Sequence, residues 1–248
     1  MPPRVFAIAA HPDDIEFNMS GTLLRLRDAG WELHYQNLST GSLGSTALTA
    51  SQTRKARRAE AKEAARILGA QWHPPMFDDL EIQYSSPAVR RLAATIRAVN
   101  PQIILTHPPV DYMEDHTETC RLVVTAAFSR GMPNFKTIPA RKPVSGEVTL
   151  YHCQPHLNRD PLGELVRPKL FVEVGAHLPT MTKALAAHRS QKEWLDASQG
   201  MDSYLAAMQH LKREVGKLSK KFKFAEGWRK HSHAGFCAPT ADPLKTVL

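Results

Sequence analysis

The sequence predicts an α/β fold: a Rossmann-like three-layer sandwich with a mostly parallel sheet and helices on both faces. Three observations predict it. Short apolar runs alternate with helical patterns in the order β-α-β-α-β-α-β. The stretches between the runs are long enough for right-handed crossovers, which parallel strands need. The first run, Val5–Ala10, is continuously apolar rather than alternating, as strands buried on both faces are.

Val5–Ala10 reads as a buried strand, and Gly21–Ala29 as a helix with Leu23, Leu24 and Leu26 in helical spacing before Gly30 stops it. Trp31–Leu38 alternates well enough for a second strand, and Ser39–Ser45 is a loop. Ser51–Leu68 is a strong helix ended by Gly69, Trp72–Phe77 a weak strand, and Ser86–Val99 a helix stopped before Pro101. Gln102–Thr106 is a short apolar strand and Thr117–Ser129 the next helix. Pro133–Gly146 is rich in Pro, Lys and Arg and reads as a surface loop. Two late strands, Val148–Cys153 and Lys169–Val174, precede helices over Pro179–Leu195 and Tyr204–Lys220. No repeat or composition shift divides the chain, so the expectation is one domain spanning residues 1–248.

Composition narrows the functional classes. At 42% hydrophobic and 23% charged residues, the chain has enough apolar material for a core without a stapling metal or disulfide. The apolar run near the start is far below the roughly 20 residues that span a bilayer, so neither a membrane protein nor a secretory leader is expected. Three scattered cysteines (Cys120, Cys153, Cys237) form no C-x-x-C pair and fit a reducing cytoplasm. The net charge of +8 permits acidic partners without establishing one. The basic run from Lys212 to Lys230 is interrupted by Glu214 and Glu226, carries no nucleic-acid-binding signature, and reads as a solvated face.

The chemistry sits in Ala10-His11-Pro12-Asp13-Asp14, directly after the first strand. Parallel α/β sheets place their sites beyond the C-terminal ends of strands. No Gly-rich phosphate loop is there; instead one imidazole and two carboxylates form a donor set for zinc or another divalent transition metal. Alone, the loop also fits a structural reading in which Asp14 caps the next helix. A second cluster, His107-Pro-Pro-Val-Asp111-Tyr112-Met113-Glu114-Asp115-His116, follows the Gln102–Thr106 strand and shifts the balance. His11, Asp14 and His116 then supply the three ligands of a catalytic metal with one position open. Asp13 is free to take the proton of an attacking water, and Asp115 to orient Asp13 or an imidazole.

At these residues the sequence resembles the PIG-L/LmbE family of zinc-dependent N-deacetylases. The A-H-P-D-D loop, the Asp115-His116 pair, Arg57-Arg-Ala-Glu60 in its helix and Lys183-Ala-Leu-Ala-Ala-His188-Arg-Ser190-Gln191 carry the likeness, which runs from Val5 to about Arg229. It implies metal-dependent removal of an acyl group, typically acetyl, from the amide nitrogen of an amino sugar such as an N-acetylglucosamine conjugate. It implies His11, Asp14 and His116 as metal ligands, Asp13 as general base, Arg57, Asp79 (with Asp78 the alternative) and Tyr112 as substrate contacts, and Asp115 and His188 behind them. His188 is equally read as a buried structural histidine. The resemblance suggests a homo-oligomer acting on a small molecule, with no nucleic acid or membrane partner.

One departure matters. Where many family members have a histidine three residues before the ligand histidine, this chain has Met113, which is neither an acid nor a useful donor. His107, Tyr112 and Glu114 are the candidates to take that role. Two alternatives therefore stand beside the deacetylase: an amidase of another amino-sugar or thiol conjugate, and a metal-retaining carbohydrate binder without turnover.

Overall fold

Arg4–Ala9 forms strand β1, and its residues from Val5 onward are buried on both faces. In the computed structural model, which describes residues 1–199 and 204–247, β1 lies at the heart of a seven-stranded sheet. The strands in chain order are β1, β2 (Glu32–Asn37), β3 (Ala70–His73), β4 (Ile103–Thr106), β5 (Thr149–Cys153), β6 (Leu170–Glu173) and β7 (Ala225–Lys230). Their spatial order is β3-β2-β1-β4-β5-β7-β6, and the first five are mutually parallel. The chain winds outward from β1 to β3, then returns to place β4 on the other side of β1. That reversal opens a crevice at the carboxyl ends of β1 and β4, where such sheets bind ligands.

Helices cover both faces: α1 (Asp14–Asn18), α2 (Ser20–Asp28), α3 (Ala50–Leu68), α4 (Ser86–Val99), α5 (Glu114–Phe128), α6 (Leu178–Leu185), α7 (Arg189–Gln199) and α8 (Tyr204–Ser219). Val5, Ala7 and Ala9 face one apolar cluster with Leu23, Leu26 and Leu68, while Phe6, Ile8 and Ala10 face the other with Leu92, Ile96 and Val123. A strand with both faces covered must be apolar throughout, which is why β1 is. Thr49 and Gln52 form a capping box at the start of α3, Gly69 ends it in the left-handed conformation, and Ser85 caps α4.

Five readings of the sequence are corrected. Pro179–Leu195 is two helices, because the chain turns at His188, and Glu60 of α3 accepts from Ser190 N (3.0 Å) and Oγ (2.7 Å) to cap α7. A short helix, α1, lies ahead of α2, and the helix read from Thr117 starts at Glu114, so that Asp115 and His116 occupy its first turn. The weak third strand is Ala70–His73. The basic C-terminal run is not all solvated face: it contains β7, inserted antiparallel between β5 and β6. Lys212 is 4% exposed, pairs with Glu226 Oε1 (3.1 Å) and donates to Phe17 O (2.5 Å). Glu226 in turn accepts from Gly21 N (3.0 Å) and Thr22 N (2.7 Å) at the amino end of α2, where helix dipole and free amides favour a carboxylate. Gly21 is required there: a Cβ would lie 2.4 Å from Val174 Cγ1.

Candidate active site

The loops after β1 and β4 fold toward each other across the crevice. His11 and Asp14 come from the first and His116 from the second, and one donor atom from each lies within 4.8 Å of the others. Asp14 Oδ2 is the meeting point, 3.5 Å from His11 Nδ1 and 3.4 Å from His116 Nε2. The remaining ring nitrogens are anchored by carboxylates. His11 Nε2 is 2.9 Å from Asp115 Oδ2, and His116 Nδ1 is 3.0 Å from Asp111 Oδ1. An ionised carboxylate only accepts, so Asp115 and Asp111 keep protons on these two nitrogens and leave the inward-facing Nδ1 and Nε2 as the ones that would give up their protons and offer lone pairs to an ion. Two oriented imidazoles and one carboxylate oxygen fit a divalent transition ion, with second carboxylates fixing each tautomer.

Electrostatics agree with that density of acceptors. Burial alone would lower both histidines, but Asp115 and Asp14 leave His11 raised to about 9, and Asp14 with Asp111 leaves His116 raised to about 10. Asp14 is held well below the carboxylate range despite its burial, by His116 and His107. Cationic character is thus favoured at this spot, where a cation would sit. His107 stacks on His116 with centroids 4.0 Å apart, and its Nε2 accepts from Ala10 N (3.0 Å). That nitrogen also lies 3.3 Å from Asp14 Oδ2, so His107 ties the end of β1 to β4 and abuts the cluster without lining the cavity, and exposed Glu114 does not line it either. Neither serves as the donor that Met113 lacks.

Asp13 stands beside this cluster in a strained backbone conformation, φ 105°. Burial pushes its carboxyl up to about 6, against the opposing pull of Arg57. Tyr204 Oη donates to Asp13 Oδ2 at 2.5 Å, and Arg57 Nη2 lies 3.9 Å from Oδ1. Arg57 itself is buried and donates to Pro12 O (2.8 Å) and Gly41 O (3.4 Å), so it shapes the loop carrying Asp13. Gly41 permits this wrap with φ +74°, since a Cβ there would lie 2.6 Å from the Arg57 side chain. Asp79 accepts from Gly41 N (2.7 Å) and Leu43 N (3.0 Å), which folds the same loop. Asp78 instead accepts from Thr40 Oγ1 (2.5 Å) and pairs with Arg54. His188 is fully buried with its Nε2 3.3 Å from Glu16 Oε2. Burial would lower His188, but Glu16 outweighs it and raises it.

The cluster opens into a cavity of about 420 Å³. Asp13, Asp14, Arg57, Asp79, Tyr112, Met113 and His116 line it, as do Phe17, His156, Trp194 and Tyr204. Of the residues read from the sequence, His11, Asp13, Asp14, His116, Arg57, Asp79 and Tyr112 are brought together here, while Asp115 and His188 stand behind the wall. Asp115 orients an imidazole, that of His11. Tyr112 is 58% exposed at the mouth, with its ring edge-on to His116. The sequence reading missed Tyr204 and His156. Neither lies in a recognisable motif, and each reaches the site from an element far along the chain.

Residues 6–127, from β1 through the first turns of both loops to the end of α5, match the family model described as PIG-L: GlcNAc-PI de-N-acetylase. Residues 6–127 are a PIG-L family domain. The chain is 28% identical over 198 residues to the diacetylchitobiose deacetylase of Thermococcus kodakarensis, covering 76% of this chain and 70% of that protein. It is also 29% identical over 157 residues to the 4-oxalmesaconate hydratase of Pseudomonas putida, covering 60% of each. Among solved structures, an N,N'-diacetylchitobiose deacetylase from Pyrococcus horikoshii superposes with a TM-score of 0.76 at 23% identity, over 97% of this chain and 88% of that one. That likeness bears on the fold. The PIG-L domain contains the metal-donor cluster and Asp13, whereas His156, Trp194 and Tyr204 lie beyond it and build the opposite wall.

Proposed function

We propose that this chain is a zinc-dependent hydrolase that removes an acetyl group from the amide nitrogen of an N-acetylglucosamine-type sugar. The observation that carries the reading is the convergence of His11 Nδ1 and His116 Nε2 on Asp14 Oδ2, with the carboxylate of Asp13 beside them in a cavity that admits a sugar-sized ligand. A two-nitrogen, one-oxygen donor set favours zinc. When bound, the ion polarises a carbonyl and makes water more acidic.

The chain's own residues divide the remaining work. Asp13 takes the proton from the attacking water and returns it to the departing nitrogen; a carboxyl raised to about 6 suits both directions near neutral pH. Tyr204 and Arg57 hold Asp13 in place. Asp115 and Asp111 hold the two imidazoles, His188 supports the wall through Glu16, and Tyr112 offers its ring to the sugar at the mouth. Asp79 keeps the Gly41–Leu43 loop closed over the same side. The whole chain works as one unit, since the second cavity wall lies beyond the PIG-L domain. Three free cysteines, two of them buried, support a reducing compartment such as the cytoplasm. Among the described residues no helix is long and apolar enough to cross a membrane.

The relationship to a hydratase gives a second reading, since hydration also needs an activated water. A substrate bearing several carboxylates, as the name oxalmesaconate denotes, would need cations to receive them. Apart from the ion that Asp14 would help hold, the described lining carries one arginine, Arg57, already donating to backbone carbonyls, against two further carboxylates, Asp13 and Asp79. Phe17, Tyr112, Trp194 and Tyr204 supply aromatic surface instead. That balance supports a neutral, ring-shaped substrate. The test is acetate release from diacetylchitobiose by the zinc-loaded chain, run beside hydration of 4-oxalmesaconate. Acetate without hydration supports the deacetylase; hydration without acetate overturns it.

A further inference from the structure

We propose that His156 is a catalytic residue of this site, its imidazole N–H donating a hydrogen bond to the substrate carbonyl oxygen as negative charge develops there. The proposal rests on the deacetylase reading and adds to it a residue outside the PIG-L domain.

Other histidines in and around the site are committed. His11 and His116 are bonded to Asp115 and Asp111, His107 accepts from Ala10 N and lies against Asp14, and His188 faces Glu16. His156 lines the cavity, is half-buried, and neither ring nitrogen has a hydrogen-bond or ion-pair partner among the described residues. Its ring is nevertheless held. Phe17 packs against one side at 5.8 Å and 65°, and Tyr112 against another at 5.8 Å and 44°. Phe17 follows Asp14 on α1, and Tyr112 precedes His116, so His156 stands between the two loops that converge on Asp14.

The backbone places it there firmly. Leu157 and Asn158 both adopt positive φ (60° and 58°) to reverse the chain directly after His156, and Asn158 Nδ2 donates to Glu214 Oε2 of α8 at 3.1 Å. Two consecutive left-handed non-glycine residues persist only where the surroundings demand them. Two other donors on the wall are engaged: Tyr204 Oη on Asp13, and Arg57 on Pro12 O and Gly41 O. Met113 has none to give. Burial lowers His156 below the usual histidine value, so at neutral pH it is an uncharged N–H donor. A neutral donor aimed at the developing oxyanion acts by hydrogen bonding, with no proton leaving the ring.

Two variants of the full, zinc-loaded chain separate this role from packing. His156→Phe keeps the ring contacts and loses the donor; His156→Gln keeps an N–H donor that does not titrate. With diacetylchitobiose, His156→Phe is expected to lower kcat about 10²-fold, in line with loss of one oxyanion donor, while KM stays within about 3-fold and zinc content is unchanged. His156→Gln is expected to recover to within about 10-fold of wild type. A phosphonate mimic of the tetrahedral state should bind His156→Phe about 10²-fold more weakly, with glucosamine binding unaltered. A wild type that releases no acetate removes the deacetylase reading and this proposal with it. An active wild type matched by an equally fast His156→Phe, or a His156→Gln as slow as His156→Phe, overturns the proposal alone.

Discussion

Two charged clusters lie at the two ends of α1, one at Asp14 and the other beside Phe17 and the start of α2, and they are built to opposite purposes. At Lys212 and Glu226 each charge is closed: the ammonium meets Glu226 Oε1 and Phe17 O, and the carboxylate meets Lys212 and the Gly21 and Thr22 amides. At His11, Asp14 and His116 the closure is deliberately incomplete. Outward-facing nitrogens are tied to Asp115 and Asp111, yet the inward-facing ones point at one carboxylate oxygen beside a cavity. Both places hold paired charges; the difference is a donor set that converges on one point and opens to a cavity. That difference, more than ionisable residues alone, separates a site from a staple.

The largest effect expected from breaking this contrast is at Asp13. Asp13→Asn should lower kcat by about 10²–10⁴-fold, the usual share of a positioned acid/base, while zinc binding measured by calorimetry stays near wild type. At the closed cluster, Lys212→Ala should cost about 3 kcal/mol of stability by urea unfolding, at the low end for a broken buried pair because Glu226 keeps two amide donors. Lys212→Met combined with Glu226→Gln should recover most of that loss; a single variant with unchanged stability would mean the pair carries no weight. Asp115→Asn should weaken zinc binding about 10–100-fold through the orientation of His11, with little change in unfolding midpoint. Glu60→Ala removes the cap on α7 and should cost about 1 kcal/mol, with zinc affinity unchanged.

Much of this was legible in the sequence because it is local. Val5–Ala10 is apolar without alternation, Ser86–Val99 carries its cap and its stop, and the His11–Asp14 and Asp111–His116 segments each lie just beyond a short apolar strand. What escaped is non-local. Ala225–Lys230 was hidden because Glu226, Arg229 and Lys230 look like surface, and Glu226 is burial-competent only through Lys212 and the α2 amides. The break at His188 depends on Glu60, 130 positions away from Ser190. His156 and Tyr204 reach the cavity from beyond β5 and from α8, and no spacing rule links them to His11. Met113, read as a missing donor, is a cavity-lining residue beside a wall that has an imidazole from elsewhere in the chain.

The convergence on Asp14 Oδ2 is tested most directly by titrating zinc into the metal-stripped full chain and into His116→Ala, following bound metal by calorimetry and elemental analysis. The account predicts a single tight ion per wild-type chain, its binding abolished or weakened by orders of magnitude in His116→Ala, with the fold intact by circular dichroism. Equal zinc affinity in the two proteins, or no tight ion in the wild type, would contradict it.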